Sequence, residues 1–270
     1  MVEFTVRKNG KLVKSVLENV EGVSFSAVMK ALRKKDVKVN GKRTSDDLQV
    51  FEGDNVCIYI KEINEPEFKV LFENDDILVI DKPSGYTSET VFANLSRKGE
   101  LYFIHRLDRN TSGVMIFAKN KIAETELVNG FKTHEFIKIY LAQVFGKMEK
   151  SSEVLTAYLV KDSATSTVKI YRDKRKGSVP IKTGYETVSY KDGVSTLKVR
   201  LYTGKTHQIR AHLAFIGHPI VGDGKYGDGE KNKLLNEKTQ RLTAYSLTLS
   251  FCKDSPLYYL SGKTFVSEMV

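Results

Sequence analysis

From residue 68 onward the chain is a succession of short apolar runs that follow one another with little helix between them. Val70-Leu71-Phe72, Ile77-Leu78-Val79-Ile80, Tyr102-Phe103-Ile104 and Val114-Met115-Ile116-Phe117-Ala118 come first, then strand-like stretches at 137–145, 154–160, 168–171, 181–189, 196–202 and 242–251. Only residues 122–132 and 206–216 carry helical spacing. The second of these stops at Gly217, with Pro219 just beyond, as helices commonly do. Strands that follow strands close by pairing with their neighbours, whereas a doubly wound parallel fold needs a helix between each pair. The expected class is therefore α+β with a mixed, largely antiparallel sheet. The apolar runs fall far short of the ~20 residues a membrane helix requires. The first residues, Val2-Glu3-Phe4-Thr5-Val6, read as a strand rather than a secretion signal. A cytoplasmic monomer with no membrane partner is expected.

Residues 1–62 read as a separate small domain. Leu12, Val13, Val16 and Leu17 have helical spacing, and Ser24 is placed to cap a second helix that turns Val28, Met29 and Leu32 inward and Lys30, Arg33, Lys34 and Lys35 outward. A strand at 37–39, an Asn40-Gly41 turn, a Gly53-Asp54 turn and a strand at 56–60 follow; Asn-Gly between alternating segments is a strong hairpin signal. Residues 61–68, with Pro66, read as a short tether, with the linker proper at 63–68 and the larger domain at 69–270.

A formal net charge of +10 favours a polyanionic partner, nucleic acid first. Cys57 and Cys252 form no CxxC pair and read as buried free thiols in strands, and the five histidines show no metal-ligand spacing. No phosphate-loop or dinucleotide-binding glycine pattern is present. No metal and no cofactor is expected.

One stretch carries chemistry. His105-Arg106-Leu107-Asp108-Arg109-Asn110-Thr111-Ser112-Gly113 places a single carboxylate among cations, between two strand-like segments. Flanking cations keep an acid ionised while a substrate displaces its water. An Asp that merely caps the Thr-Ser-Gly turn has no need of Arg106 and Arg109. Arg210 sits among Ile209, Ala211, Leu213 and Ile216 in the second large-domain helix, so its side chain leaves a partly buried surface and requires an anionic partner. Tyr140 alternates with Ile139 and Leu141, which suits a half-buried strand tyrosine or an aromatic wall of a pocket. Lys205, His207 and Gln208 start the same helix as Arg210, where unpaired N–H groups attract phosphates. A second basic cluster, "YRDKRKG" at 171–177, reads as a hairpin tip.

HRLDRNTSG followed by an apolar strand resembles the catalytic motif of the RluA-type pseudouridine synthases. Three more segments agree in order and spacing: "LVIDKPSG" at 78–85, "KIYLAQVFG" at 138–146 and "GKTHQIRAHLAFIGHPIVGDGKYG" at 204–227. The resemblance covers roughly residues 70–250. It implies an RNA-modifying isomerase that flips a uridine out of its stack, with Asp108 as the carboxylate that attacks the ribose or assists glycal formation, and Arg210 as its partner. It further implies that Tyr140 stacks on the base and relays a proton once its pKa is lowered, and that Arg106 fills the space the base vacates. His105, Arg109, Lys205, His207 and Gln208 are expected to touch RNA. The small domain is similar to the S-four-type RNA-binding domain, through its helix ending in a basic cluster, its "VKVNGKRT" hairpin and its "EGDNVCIYI" strand. In that reading Lys30, Arg33, Lys34, Lys35, Lys38, Lys42 and Arg43 follow phosphates. The default substrate is large-subunit ribosomal RNA; transfer RNA, or a binding-only protein on the same scaffold, are the alternatives. The sequence departs from the family at Tyr86-Thr87-Ser88-Glu89, where small apolar residues and a His-Pro pair are usual, which puts the rim of the pocket in question.

Overall fold

The computed structural model describes residues 1–20, 23, 25–60, 68–97, 99–162 and 167–269. The cap assigned to Ser24 and the tether up to residue 67 lie outside them. By its internal contacts the chain divides into two compact units, Met1–Glu67 and Phe68–Val270.

In the first unit, strands β1 (Val2–Thr5), β3 (Val37–Val39), β4 (Lys42–Thr44) and β6 (Asn55–Ile58) form a sheet of order β1-β6-β3-β4, and β2 (Gly10–Lys11) pairs with β5 (Gln49–Val50). Helices α1 (Leu12–Asn19) and α2 (Phe25–Arg33) supply Leu12, Val13, Val16, Val28, Ala31 and Leu32 to a core shared with Val37, Val56 and Ile58. The β3–β4 turn is made by Asn40 and Gly41, both with positive φ (49° and 78°), as the tight hairpin geometry demands. The Asn40 side chain ties this turn to the next: its Nδ2 donates to Asp54 Oδ1 at 2.8 Å, and its Oδ1 accepts from the Asn55 N–H at 2.8 Å.

The second unit contains β7 (Lys69–Glu73), β8 (Ile77–Lys82), α3 (Ser88–Leu95), β9 (Tyr102–Phe103), β10 (Ser112–Ala118), α4 (Lys121–Thr133), β11 (Ile137–Phe145), β12 (Ser152–Asp162), β13 (Thr167–Tyr171), β14 (Val179–Lys191), β15 (Val194–Leu201), α5 (Gln208–Phe215), α6 (Gly229–Leu234), β16 (Leu242–Thr248) and β17 (Thr264–Val266). Its sheet runs β13-β12-β14-β15-β11-β16-β10-β8-β7, with β9 on β10 and β17 on β16. Among the described residues β10 and β16 run parallel, while the other pairings are antiparallel. The sheet is thus mixed and largely antiparallel.

Burial explains the sequence pattern along it. Strands β8 and β10 are covered on both faces: Ile77, Val79, Val114 and Ile116 pack toward Ala123 and Leu127 of α4, while Leu78, Ile80, Met115 and Phe117 pack toward Val91 of α3. A strand buried on both sides loses the period-two alternation and reads as a continuous apolar run. Each of these fully buried side chains contributes roughly 1.5–3 kcal/mol. In the other half, α5 covers one face only, through Ile209, Ala211 and Leu213, so β12 and β15 alternate between buried and accessible residues.

Local signals set the helix ends. Asn120 Oδ1 accepts from the Ala123 N–H at 2.8 Å to open α4, and His134 closes it with a left-handed φ of 61°. Gly130 lacks a Cβ because the Phe136 ring occupies that space: an ideal Cβ would stand 2.3 Å from Phe136 Cζ. Helices α3 and α6 and strand β17 carry too weak a pattern to be expected from sequence. The strand expected at 242–251 is β16, which ends at Thr248, so Cys252 lies beyond it and is exposed, while Cys57 is buried as expected. No helix among the described residues is long and apolar enough to cross a membrane.

Candidate active site

Asp108 sits in the loop between β9 and β10, and that loop is fixed from both sides. Ser88, buried at the start of α3, donates its hydroxyl to the Leu107 carbonyl and accepts the Leu107 N–H, both at 2.9 Å. Thr87 caps the helix by accepting the Thr90 N–H at 3.1 Å. On the other side the Arg109 carbonyl accepts from the Gly85 N–H at 2.9 Å and from the buried Lys82 ammonium at 3.3 Å. Lys82 also donates to the carbonyls of Pro83 and Tyr86. Burial pulls its pKa down to about 8, against the opposing pull of Asp108. The Thr111 N–H closes the turn onto the Asp108 carbonyl at 3.0 Å, and Gln240 anchors Thr111 through Nε2 at 2.7 Å. The atypical Tyr86–Glu89 segment is therefore the helix start that holds the peptide next to Asp108.

The Asp108 carboxylate opens into a cavity of about 310 Å³, within the range of small-molecule sites. Arg210, on α5, reaches it with Nη1 to Oδ2 at 2.7 Å. The same guanidinium grips Asp223 with Nε to Oδ2 at 2.7 Å and Nη2 to Oδ1 at 2.9 Å. Burial works against the charge of Arg210, but Asp223 first and Asp108 second hold it fully protonated. Burial also opposes the charge of Asp223, yet Arg210 and the Lys225 and Tyr226 N–H groups outweigh it and lower its pKa. One cation is thus shared by two carboxylates, one closed in the interior and one facing the cavity. Sequence reasoning passed over Asp223, although a buried arginine beside a Gly-Asp-Gly turn was a usable signal.

Several expectations need correction. Arg106 and Arg109 flank Asp108 in sequence but do not pair with it: Arg106 turns outward to Glu89 at 3.3 Å, and Arg109 Nε donates to the Gly85 carbonyl at 3.0 Å. In an extended loop, adjacent side chains point apart, so the neighbour that neutralises Asp108 comes from a distant helix. Tyr140 lines the cavity, but its pKa is raised, by burial first and by Asp108 second, not lowered. It is a neutral phenol, suited to stacking and to donating a hydrogen bond rather than to removing a proton. His105 is packed against Phe131, with ring centres 4.5 Å apart, and its Nε2 accepts the Ile116 N–H at 3.1 Å. Burial, aided by Lys138, takes its pKa down to about 3, so it brings no charge to a phosphate.

Helix α5 begins at Gln208, later than its sequence pattern suggests, with His207 as the preceding residue at a left-handed φ of 51°. Gln208 is buried, and its amide is spent on Lys182, Thr183, Thr203 and Lys205, leaving nothing for RNA. His207 faces Asp108, its Nε2 at 3.8 Å from Oδ1. Lys205 remains exposed at the rim of the cavity, and Lys138, His134, Leu201 and Leu242 complete its wall.

In the first unit, Lys30, Arg33, Lys34, Lys35, Lys42 and Arg43 are exposed and Lys38 is half-buried. The structure brings part of this set together. Lys38 and Arg43 are cross-strand partners, Arg43 Nη1 donates to the Lys35 carbonyl at 3.2 Å, and the Lys38 ammonium lies 5.5 Å from the centre of the Tyr59 ring. In the second unit, 171–177 forms an exposed tip between β13 and β14, with Arg175 over the Tyr171 ring at 5.7 Å.

Residues 76–215 match the family of RNA pseudouridylate synthases. Two curated relatives are the ribosomal large subunit pseudouridine synthase C of Haemophilus influenzae, 30% identical over 87% of this chain and 81% of its own length, and that of Escherichia coli K12, 30% identical over 93% and 88%. Among solved structures, human RNA pseudouridylate synthase domain containing 1 superposes with a TM-score of 0.59 at 25% identity, covering 75% of this chain and 91% of that one. Human RNA pseudouridylate synthase domain containing 4 gives 0.57 at 23% identity, covering 71% and 90%, and shares the fold. With the family matched over more than half of its length and relatives aligned almost end to end, the chain belongs to the RNA pseudouridylate synthases.

Proposed function

We propose that this enzyme converts specific uridines of large-subunit ribosomal RNA to pseudouridine, with Asp108 as the reacting carboxylate. The observation that carries this reading is the Asp108–Arg210 pair at 2.7 Å, placed at a cavity that Tyr140 also lines. The reaction breaks the bond from ribose C1′ to uracil N1 and rejoins C1′ to C5 of the same ring; C5 gives up a proton and N1 takes one up, so that no atom is gained or lost. It has no net redox change. What the protein must supply is a carboxylate at C1′, a surface that holds the detached ring while it turns, and a place for a base taken out of its stack. Arg210 pairs with Asp108 and, clamped by Asp223, fixes its orientation. Tyr140 stacks on the uracil and offers its hydroxyl as a donor. Arg106, exposed at the mouth beside Asp108, takes the position vacated by the base, for which a planar guanidinium is suited.

The first unit acts in this proposal as an S-four-type RNA-binding domain, its exposed basic residues from Lys30 to Arg43 following the phosphate backbone. The names of the curated relatives favour ribosomal over transfer RNA as the substrate. The test is a pseudouridine map of total RNA from cells with and without the protein, together with the variant Asp108→Ala on protein-free large-subunit ribosomal RNA. Loss of modification at defined ribosomal positions, with RNA binding retained by the variant, is expected. Conversion by Asp108→Ala at the wild-type rate refutes the assignment of the carboxylate, and loss confined to transfer RNA refutes the substrate.

A further inference from the structure

We propose that His207 is a positioning residue for Asp108: held in one neutral form by Tyr226, it presents an N–H donor to the carboxylate oxygen that Arg210 leaves free. This rests on the reading of Asp108 as the reacting carboxylate.

The argument follows the protons. The Tyr226 oxygen accepts the Val168 N–H at 2.8 Å. Tyr226 Oη also lies 2.9 Å from His207 Nδ1. If Nδ1 carried the proton, both of these groups would donate to the tyrosine oxygen and the tyrosine's own proton would have no acceptor among these contacts. The arrangement that satisfies all three has the Tyr226 hydroxyl donating to Nδ1, which leaves the proton on Nε2. Nε2 is the nitrogen that faces Asp108, 3.8 Å from Oδ1, while Arg210 occupies Oδ2 at 2.7 Å. The two oxygens of the carboxylate are thereby made unequal. Oδ2 is committed to a guanidinium that is itself clamped by Asp223, and Oδ1 looks toward a donor just beyond hydrogen-bond length. A rotation of the carboxylate, or a small closure around a bound uridine, brings that donor into contact.

The backbone agrees that His207 is placed deliberately. It adopts a left-handed φ of 51°, a conformation that residues with a side chain seldom take up, and its carbonyl accepts the Ala211 N–H to start α5. Its ring meets Tyr226 edge-on at 5.6 Å, and the same tyrosine lies under the Arg210 guanidinium at 5.3 Å. Tyr226 therefore supports both groups that address Asp108. Desolvation holds His207 toward its neutral form, and Arg210 and Lys225 reinforce it against the opposite pull of Asp108 and Asp223. A neutral donor can orient the carboxylate without locking it into an ion pair.

Two measurements test this. In protein labelled with 15N-histidine, the His207 signal, identified by its absence from His207→Gln, is expected to show the Nε2–H form, and Tyr226→Phe is expected to turn it into a mixture of the two neutral forms. In single-turnover and steady-state assays on protein-free large-subunit ribosomal RNA, His207→Ala is expected to lower kcat about tenfold with little change in KM, the scale of one hydrogen bond to a charged group. His207→Gln, which keeps an N–H near the Nε2 position, is expected to recover most of the loss. An Nδ1–H signal in the wild type overturns the proposal, as does a Gln variant no better than Ala, or a loss that appears in KM alone. Asp108→Asn is run beside them. If that variant isomerises uridine, the reading of Asp108 fails; if it is inactive while the His207 and Tyr226 variants match wild type, only this inference fails.

Discussion

Replacing Asp223 with Asn tests the claim that one buried carboxylate holds Arg210 in place. The two side chains are nearly the same size, so the change is one of charge and of donor against acceptor. Asp223 Oδ1 accepts from the Lys225 N–H at 2.8 Å, the Tyr226 N–H at 3.1 Å and Arg210 Nη2 at 2.9 Å, while Oδ2 accepts from Arg210 Nε at 2.7 Å. An asparagine must keep its oxygen at the Oδ1 position, because three donors converge there. Its NH2 group then faces the Arg210 Nε–H, donor against donor, at a side chain with no exposure in Asp223 and 8% in Arg210. Removing one partner of a buried ion pair costs about 3–5 kcal/mol. For a unit of this size that lowers Tm by roughly 6–20 °C. Asp108→Asn is the internal control. Asp108 is 20% exposed, and its loss leaves Arg210 in a complete one-to-one pair with Asp223. It should move Tm by no more than about 4 °C, the equivalent of roughly 1 kcal/mol, while removing activity. Thermal unfolding followed by circular dichroism, with isomerisation measured well below each Tm, separates the two. Equal Tm losses in both variants, or a Tm for Asp223→Asn within about 2 °C of wild type, would show that Arg210 is held by something other than this pair.

Three further outcomes are expected. Ser88→Ala strands both the N–H and the carbonyl of Leu107, so it should destabilise the second unit by about 2–3 kcal/mol in urea titrations and lower kcat, because Leu107 adjoins Asp108. His105 and His212 have pKa values brought down to about 3 and about 4, in each case chiefly by burial, from an ordinary value of 6.5. Between those limits the unfolded chain binds more protons than the folded one, so stability is full above pH 6.5 and falls as the pH drops. At pH 5 the loss is about 2 kcal/mol from each histidine, read as a fall in the urea midpoint that His105→Gln makes smaller. Binding to ribosomal RNA should weaken steeply with salt, and substituting Lys35, Lys38 and Arg43 together by Gln should make that salt slope shallower by up to about three, roughly one per lost phosphate contact. An unchanged slope removes this face from the RNA path.

The succession of strands along the chain, and the place of the Asp108 loop between two of them, were legible because both depend on local pattern: apolar runs without intervening helices, and an acid in a turn between two of them. What was not legible depends on pairing across long separations. The flanking arginines Arg106 and Arg109 looked like cations that serve Asp108 because they are adjacent in sequence, yet the structure turns both away; Arg210, 102 residues on, is the partner the resemblance implied, but the buried Asp223 that clamps it was not foreseen. Gln208 and His105 looked like polar residues available to RNA. The amide of Gln208 is consumed by neighbours, and His105 is packed on Phe131 with its Nε2 accepting the Ile116 N–H, contacts that no spacing rule identifies. Helix α3 was hidden because its apolar face is weak and its start, Thr87-Ser88, reads as a loop; only the buried hydrogen bonds to Leu107 reveal why polar residues stand there. Tyr140 was placed correctly on a strand, but the direction of its pKa shift follows from how deeply the strand is covered, which alternation alone does not report.

The parallel pairing of β10 with β16 sets an order of events during synthesis. Gly113 lies so close to Ala244 that an ideal Cβ on the glycine would stand 2.2 Å from the Ala244 carbonyl oxygen, and Gln240, just before β16, holds Thr111 in the turn of Asp108. These partners are some 130 residues apart. A nascent chain that has made only β7 to β10 can form their local hairpin, but along Ser112 and Gly113 it has an open edge, and the turn has no Gln240 to fasten it. Arg210 and Asp223 also arrive late. Asp108 is therefore made early and completed last: in a growing chain it has neither Arg210 nor the strand beside its turn until the far side of the sheet has been translated.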